Sequence, residues 1–281
     1  MSEILTFGNE ILSLNGEVIA SGEPPMPANS FRIRMAPGVT PTSGNSYVTF
    51  VNVMGDIWDA TNSRTDWTRA FYGNGSNLLE IIKENEVHAT GYGSFLEMYL
   101  MFQGCSRITS IPWFDTSGCT GLAQMFTDCA SLVTIPQLDT SNCTKMANMF
   151  SYCEDLLTIP LLDTSKVTNM KGMFIYCTSL ETVPLLDTSK CTSMEDMFQY
   201  DRSLKYIPDF DISSCTNLNH TFMGCTNVES GMLSLYQKAV AGGLIGEERH
   251  LQTFYNCGTN TASGRAERAQ IPTSWGGDLA E

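Results

Sequence analysis

The strongest constraint on this chain is a repeat of 24 residues. Phe102, Phe126, Phe150, Phe174, Phe198 and Phe222 fall at that interval without a break. Three positions after each stands Cys105, Cys129, Cys153, Cys177, Asp201 or Cys225, and a second column reads Cys119, Cys143, Val167, Cys191 and Cys215. Ile108, Leu132, Leu156, Leu180 and Leu204 are followed three residues later by Ile111, Ile135, Ile159, Val183 or Ile207, and then by a proline. The unit is C-x-x-L-x-x-I-P-x-L-D-T-S-x-C-T-x-M-x-x-M-F-x-x, and five copies fill residues 105–224. One such unit cannot bury enough apolar surface to offset the entropy of ordering its own backbone. Copies therefore stack, each covering its neighbour's flank.

Within the unit, L-x-x-I-P predicts a short extended segment that the proline ends. D-T-S is turn chemistry, because Asp and Ser side chains bond nearby backbone groups. T-x-M-x-x-M-F puts Met146, Met149 and Phe150 at helix-like spacing and predicts one returning helical turn. Extended segments stacked in this way would pair as a parallel ladder at roughly 4.8 Å per coil. The expected fold class is an α/β repeat solenoid with a parallel strand ladder.

The elements C-x-S-L-x-x-I-P, L-D-T-S and M-x-x-M-F-x-x-C, repeated in register over about residues 95–230, resemble the BspA-like leucine-rich-repeat family. That resemblance implies a solenoid of the leucine-rich-repeat type and a binding role. Members are bacterial surface proteins and adhesins, and related repeats occur in gut bacteria and their phages. The family supplies no catalytic residues. Upstream, I-W-D-A-T, D-W-T and N-L-L-E are similar to leaders of BspA-like proteins encoded by gut phages and prophages.

Four segments follow. Residues 1–30 predict a hairpin turning at Asn15-Gly16 and then a linker, GEPPMPANS, a candidate attachment segment. Residues 31–94 hold FRIRM and YVTFVNV, which alternate like strands, and NLLEIIKEN, which predicts a short helix. They form a β-rich N-terminal domain or cap. Residues 95–230 carry the repeat. Residues 231–281 form a decorated C-terminal cap, with helical spacing at Met232, Leu235, Tyr236 and Val240. There Phe254 and Cys257 restart the rhythm, and Trp275 is expected to cover the last coil.

The net charge of −14 argues against nucleic acid, since no counterions would be released from phosphates. No run of 18 apolar residues predicts a membrane span. No Lys or Arg precedes Arg32, so the basic start of a secretory signal is missing. Either a signal has been removed or, as the Met1 start favours, the chain does not use the secretion channel.

The ten cysteines read as free structural thiols, because stacked residues point the same way and Asp201 and Val167 replace Cys without any paired loss. Without C-x-x-C, a zinc site is not expected. The column Asp115, Asp139, Asp163, Asp187, Asp211 could line a calcium stripe or make turns. Like charges about 5 Å apart repel by roughly 0.8 kcal/mol in water. A charge-assisted bond to a turn amide returns about 1.5–3 kcal/mol, so the turn role is expected. His88, His220 and His250 are scattered, and His220 is expected to pack rather than act as a base. Glu154-Asp155 and Glu195-Asp196 read as solvated charges. No nucleophile elbow, Walker loop or G-x-G-x-x-G occurs, so neither an enzyme nor a cofactor is expected.

What varies while the frame stays fixed is the column after the proline: Trp113, Gln137, Leu161, Leu185. Tyr206 stands in a neighbouring column, and Tyr152, Tyr176 and Tyr200 mark a second face. These eight residues are the candidate binding surface. The expectation is a phage or prophage virion component, tail- or fibre-associated. Its N-terminal region would join other virion proteins and its repeats face a host surface protein or glycan; an oligomer is compatible. The alternative is a bacterial cell-surface adhesin.

Overall fold

The computed structural model describes residues 5–7, 10–12, 26–62, 67–85, 97–244 and 246–280. Strands β1 (Leu5–Phe7) and β2 (Glu10–Leu12) pair antiparallel, Leu5 opposite Leu12. A hairpin is therefore present, but only two residues separate its strands; the turn expected at Asn15-Gly16 lies outside the described residues.

Strands β3 (Ser30–Met35), β4 (Val48–Met54), β5 (Ile57–Asn62) and β6 (Leu78–Asn85) form one antiparallel sheet in the order β4-β5-β3-β6. The helix expected in NLLEIIKEN is strand β6. The register explains the misleading spacing: Met35 faces Leu78, Arg34 faces Glu80, Ile33 faces Ile81 and Arg32 faces Lys83, so Leu79 and Ile82 are passed over at bulges. Each bulge inserts one residue, which turns a strand's period of two into a gap of three between the buried Leu78 and Ile81. At the centre of the sheet Arg32 on β3 grips Asp59 on β5 through two bonds of 2.7 and 2.8 Å, both side chains buried.

Beyond the sheet the chain winds as stacked coils, and the expected fold class is overturned there. Among residues 97–230 no regular strand or helix forms; among the described residues every paired strand belongs to the two antiparallel sheets, and both α-helices lie near the C-terminus. Parallel pairing survives only as isolated bridges such as Gly121↔Lys145 and Ser193↔Asn217. The two predicted segments also exchange roles. L-x-x-I-P is extended, but adjacent coils share single bonds there, such as the Leu157 amide to the Val133 carbonyl at 3.0 Å. The M-x-x-M-F segment, expected as a helical turn, is a run of tight turns that carries most coil-to-coil bonding. The amides of Leu122, Gln124, Phe126 and Asp128 donate to the carbonyls of Lys145, Ala147, Met149 and Ser151 at 2.8–3.0 Å. The amides of Met125 and Thr127 between them bond back within the coil. Left-handed residues in every coil, Gln124 at φ 56° and Asp128 at φ 61° among them, keep this segment from continuing as a helix or a strand.

The core is a column of phenylalanines. Phe102, Phe126, Phe150 and Phe174 stack with ring centroids 5.6 Å apart, and all are fully buried. The column reaches further than the 24-residue spacing reveals, taking in Phe71 at 5.2 Å from Phe102 and Phe254 at 6.1 Å from Phe222. At the first end Phe31 of β3 packs edge-on against Trp67 and Phe114. At the other, α1 (Met232–Ala241) buries Met232, Leu235 and Ala239, while Val240, expected on that face, is exposed. After α2 (Ala262–Arg268), Trp275 closes the stack, lying 3.9 Å from the ring of His250 and 6.3 Å from Phe254.

Candidate binding surface

Two hydrogen-bonded columns hold the surface in place. All ten cysteines are buried and unbridged. The thiols of Cys129, Cys153, Cys177 and Cys225 donate to the carbonyls of Phe102, Phe126, Phe150 and Phe198 at 2.9–3.1 Å. A small apolar side chain with one weak donor suits a column that must both pack and satisfy a buried carbonyl. Burial pushes these thiols well above their ordinary range, so they stay protonated.

In the second column, the aspartates make turns. Asp115, Asp139, Asp163, Asp187 and Asp211 each accept the amide of the serine two residues on, at 2.9–3.0 Å. The intervening threonines link coils, Thr140 donating to the carbonyl of Asp163 and Thr164 to that of Asp187. Hydrogen bonds from the serine hydroxyl and then the serine amide hold Asp163, Asp187 and Asp211 below the usual carboxylate range.

Between the proline and this turn, the chain is extended and its side chains alternate in and out. Phe114, Leu138, Leu162 and Leu186 point into the core. The residue before each points outward: Trp113 is 56% exposed and Leu161 and Leu185 are each 60% exposed. The residue after each is the aspartate. An apolar row and an acidic row thus run side by side along the stack. They line an open groove of about 660 Å³ that includes Trp113, Gln137, Leu161, Leu185, Asp139 and Asp163. Gln137 is tied down, its amide donating to the Leu161 carbonyl at 2.9 Å.

The structure thus brings four of the eight candidates together and separates the rest. Tyr152, Tyr176 and Tyr200 form a ladder of their own outside the groove, with ring centroids 4.9 and 4.8 Å apart. Each tyrosine has a left-handed backbone, φ 60–64°, and an amide bonded to the next coil at 2.7–2.9 Å. Such a φ costs a β-carbon-bearing residue about 1–2 kcal/mol, offset here by the coil-to-coil bond. The ladder stops at Gly224, where a β-carbon would come within 2.5 Å of the Tyr200 ring. Tyr206 stands alone, its hydroxyl donating to Glu229 at 3.2 Å. His220 is half-buried with Nδ1 3.3 Å from Asp196. His250 is buried against Trp275, and His88 lies outside the described residues.

Two features of the groove and its supporting stack differ from what the sequence predicts. The aspartates are expected to make turns in preference to a calcium stripe, yet their place two residues after the variable column also puts them on the same outward face. Trp67 and Phe71 belong to the stack although they precede the regular spacing; W-x-x-A-F-x-G echoes M-x-x-M-F and was the available signal. Among the described residues no group of three or more His, Cys, Asp or Glu could hold a metal ion, and no helix is long and apolar enough to cross a membrane.

A family model matches these coils. It matches residues 96–205 and 154–241, which together cover more than half of the chain. The chain belongs to the family described as Mycoplasma protein of unknown function, DUF285. This DUF285 family is related to the BspA-like leucine-rich repeats, which agrees with the motifs of the unit. No curated protein matches the chain.

Proposed function

We propose that this DUF285 chain is a non-enzymatic binding protein whose recognition face is the row Trp113, Gln137, Leu161, Leu185. One observation carries the reading: the large apolar side chains of Trp113, Leu161 and Leu185 stand more than half exposed in register on three of four consecutive coils, with Gln137 on the fourth. Their inward neighbours already fill the core, so burial of the outward row is left to a contact with another molecule. The protein belongs to a phage or prophage particle, tail- or fibre-associated, with residues 1–30 joining other virion proteins and the coils facing a host protein or glycan. The particle setting rests on the likeness of the repeats and leader to those of gut phages. A second setting, a bacterial cell-surface adhesin, is supported by the likeness of the unit to BspA-like repeats.

Host-cell attachment by the full chain and by Leu161→Ser/Leu185→Ser tests the face. The expected result is loss of attachment with an unchanged melting temperature, because both side chains are already in water. Undiminished attachment refutes it. Mass spectrometry of purified particles tests the setting: absence of the chain from particles, with recovery at the cell surface, favours the adhesin.

A further inference from the structure

The groove specifies the shape and charge of its occupant. Its apolar row is bordered along one side by Asp139, Asp163 and Asp187, and no Lys or Arg lines it. Lys166 and Lys190 follow Asp163 and Asp187 by three residues but do not line the groove, and Lys166 donates to Asn142 at 2.9 Å. A partner that fits must therefore present apolar groups flanked on one side by positive charge.

Spacing decides its conformation. Successive coils are 5.2–5.6 Å apart at the phenylalanines and 4.8–4.9 Å apart at the tyrosines. A strand laid along the stack repeats one face about every 6.7 Å and drifts out of step within two coils. An α-helix advances about 5.4 Å per turn, so residues at i, i+3, i+7 and i+10 span about 15 Å and meet consecutive coils. We propose that the groove takes a cationic amphipathic α-helix of a partner protein. The helix lies along the stack with its apolar stripe on Trp113, Leu161 and Leu185 and its Lys/Arg flank against Asp139, Asp163 and Asp187. This rests on the reading of that row as the recognition face and names its partner class.

The probe is a fluorescein-labelled peptide with Leu at i, i+3, i+7 and i+10 and Lys along one flank. Two controls accompany it, one with Gln in place of Lys and one with central prolines that break the helix. Anisotropy is read with the full chain and three variants. Asp163→Asn/Asp187→Asn removes charge while keeping the turn, because Asn makes the same side-chain bond to the backbone. Glu154→Gln/Asp155→Asn removes as many charges elsewhere. The Lys peptide should bind saturably and gain helicity, and both control peptides should fail. Asp163→Asn/Asp187→Asn should weaken binding about five- to tenfold, Leu161→Ser/Leu185→Ser should abolish it, and Glu154→Gln/Asp155→Asn should leave it within twofold. Binding of the proline peptide, equal binding by Asp163→Asn/Asp187→Asn, or no binding by the parent chain overturns the proposal. If the peptide fails while Leu161→Ser/Leu185→Ser still abolishes host attachment, the helix inference falls and the recognition face stands. If attachment is also unaffected, both fall.

Discussion

At the scale of single residues, Asp201 is the one break in the thiol column. It is fully buried; its Oδ1 accepts the Cys177 amide at 2.7 Å, and its Oδ2 is buried without a partner. Burial raises its carboxyl well above the ordinary range. The folded chain then binds a proton that the unfolded chain releases above about pH 4, so stability falls as pH rises from there toward the folded pKa. Restoring the column with Asp201→Cys should stabilise by roughly 1–3 kcal/mol at neutral pH, with the gain over the parent widening between pH 4 and 8. Urea unfolding at a series of pH values measures this; parallel curves for parent and variant would contradict it. Gly224 makes the opposite case. Its φ of 77° and the Tyr200 ring 2.5 Å from any added β-carbon leave no room for a side chain. Gly224→Ala should cost about 1–3 kcal/mol by thermal melting.

At the scale of the element, the coil is held by a ring column and a ladder of turns. Phe150 sits between Phe126 and Phe174 with both rings at 5.6 Å. Phe150→Ala opens a hole that neither neighbour can fill, because each ring is fixed by the next coil. A loss of about 3–5 kcal/mol in urea unfolding is expected, and a loss below 1 kcal/mol would mean that the column rearranges freely. The elements are also where the sequence misled. Helix-like spacing at Met146, Met149 and Phe150 arises from consecutive turns with left-handed residues between them, and that at Leu78 and Ile81 arises from bulges. A period of three marks an amphipathic helix only when the backbone is uniform. Residues such as Gly104, Asp128 and Asn256 hinted at the left-handed column, but the tyrosines that share it did not.

At the scale of the molecule, each coil bonds to the next through the same groups, so a coil is removable as a unit. Excising residues 153–176 joins Tyr152 to Cys177 with the repeat phase intact. The shortened chain should keep a cooperative melt at a lower temperature, whereas removal of 20 residues from the same place should abolish it. Circular dichroism of the two deletions distinguishes the outcomes. Without residues 153–176 the groove also loses Leu161 and Asp163, two of the residues that line it.

The sequence by itself determined the coil length, the number of regular coils, the buried columns and the outward place of Trp113, Leu161 and Leu185. All of these follow from a period that only stacking can satisfy. Tertiary structure alone decided how the backbone is satisfied. Which segment carries the coil-to-coil bonds depends on amides and carbonyls that every residue shares, and side-chain patterns do not encode their pairing. It also decided which outward rows lie side by side. The pairing of an apolar row with an acidic one arises because the chain between proline and turn is extended, so residues two apart emerge on one face.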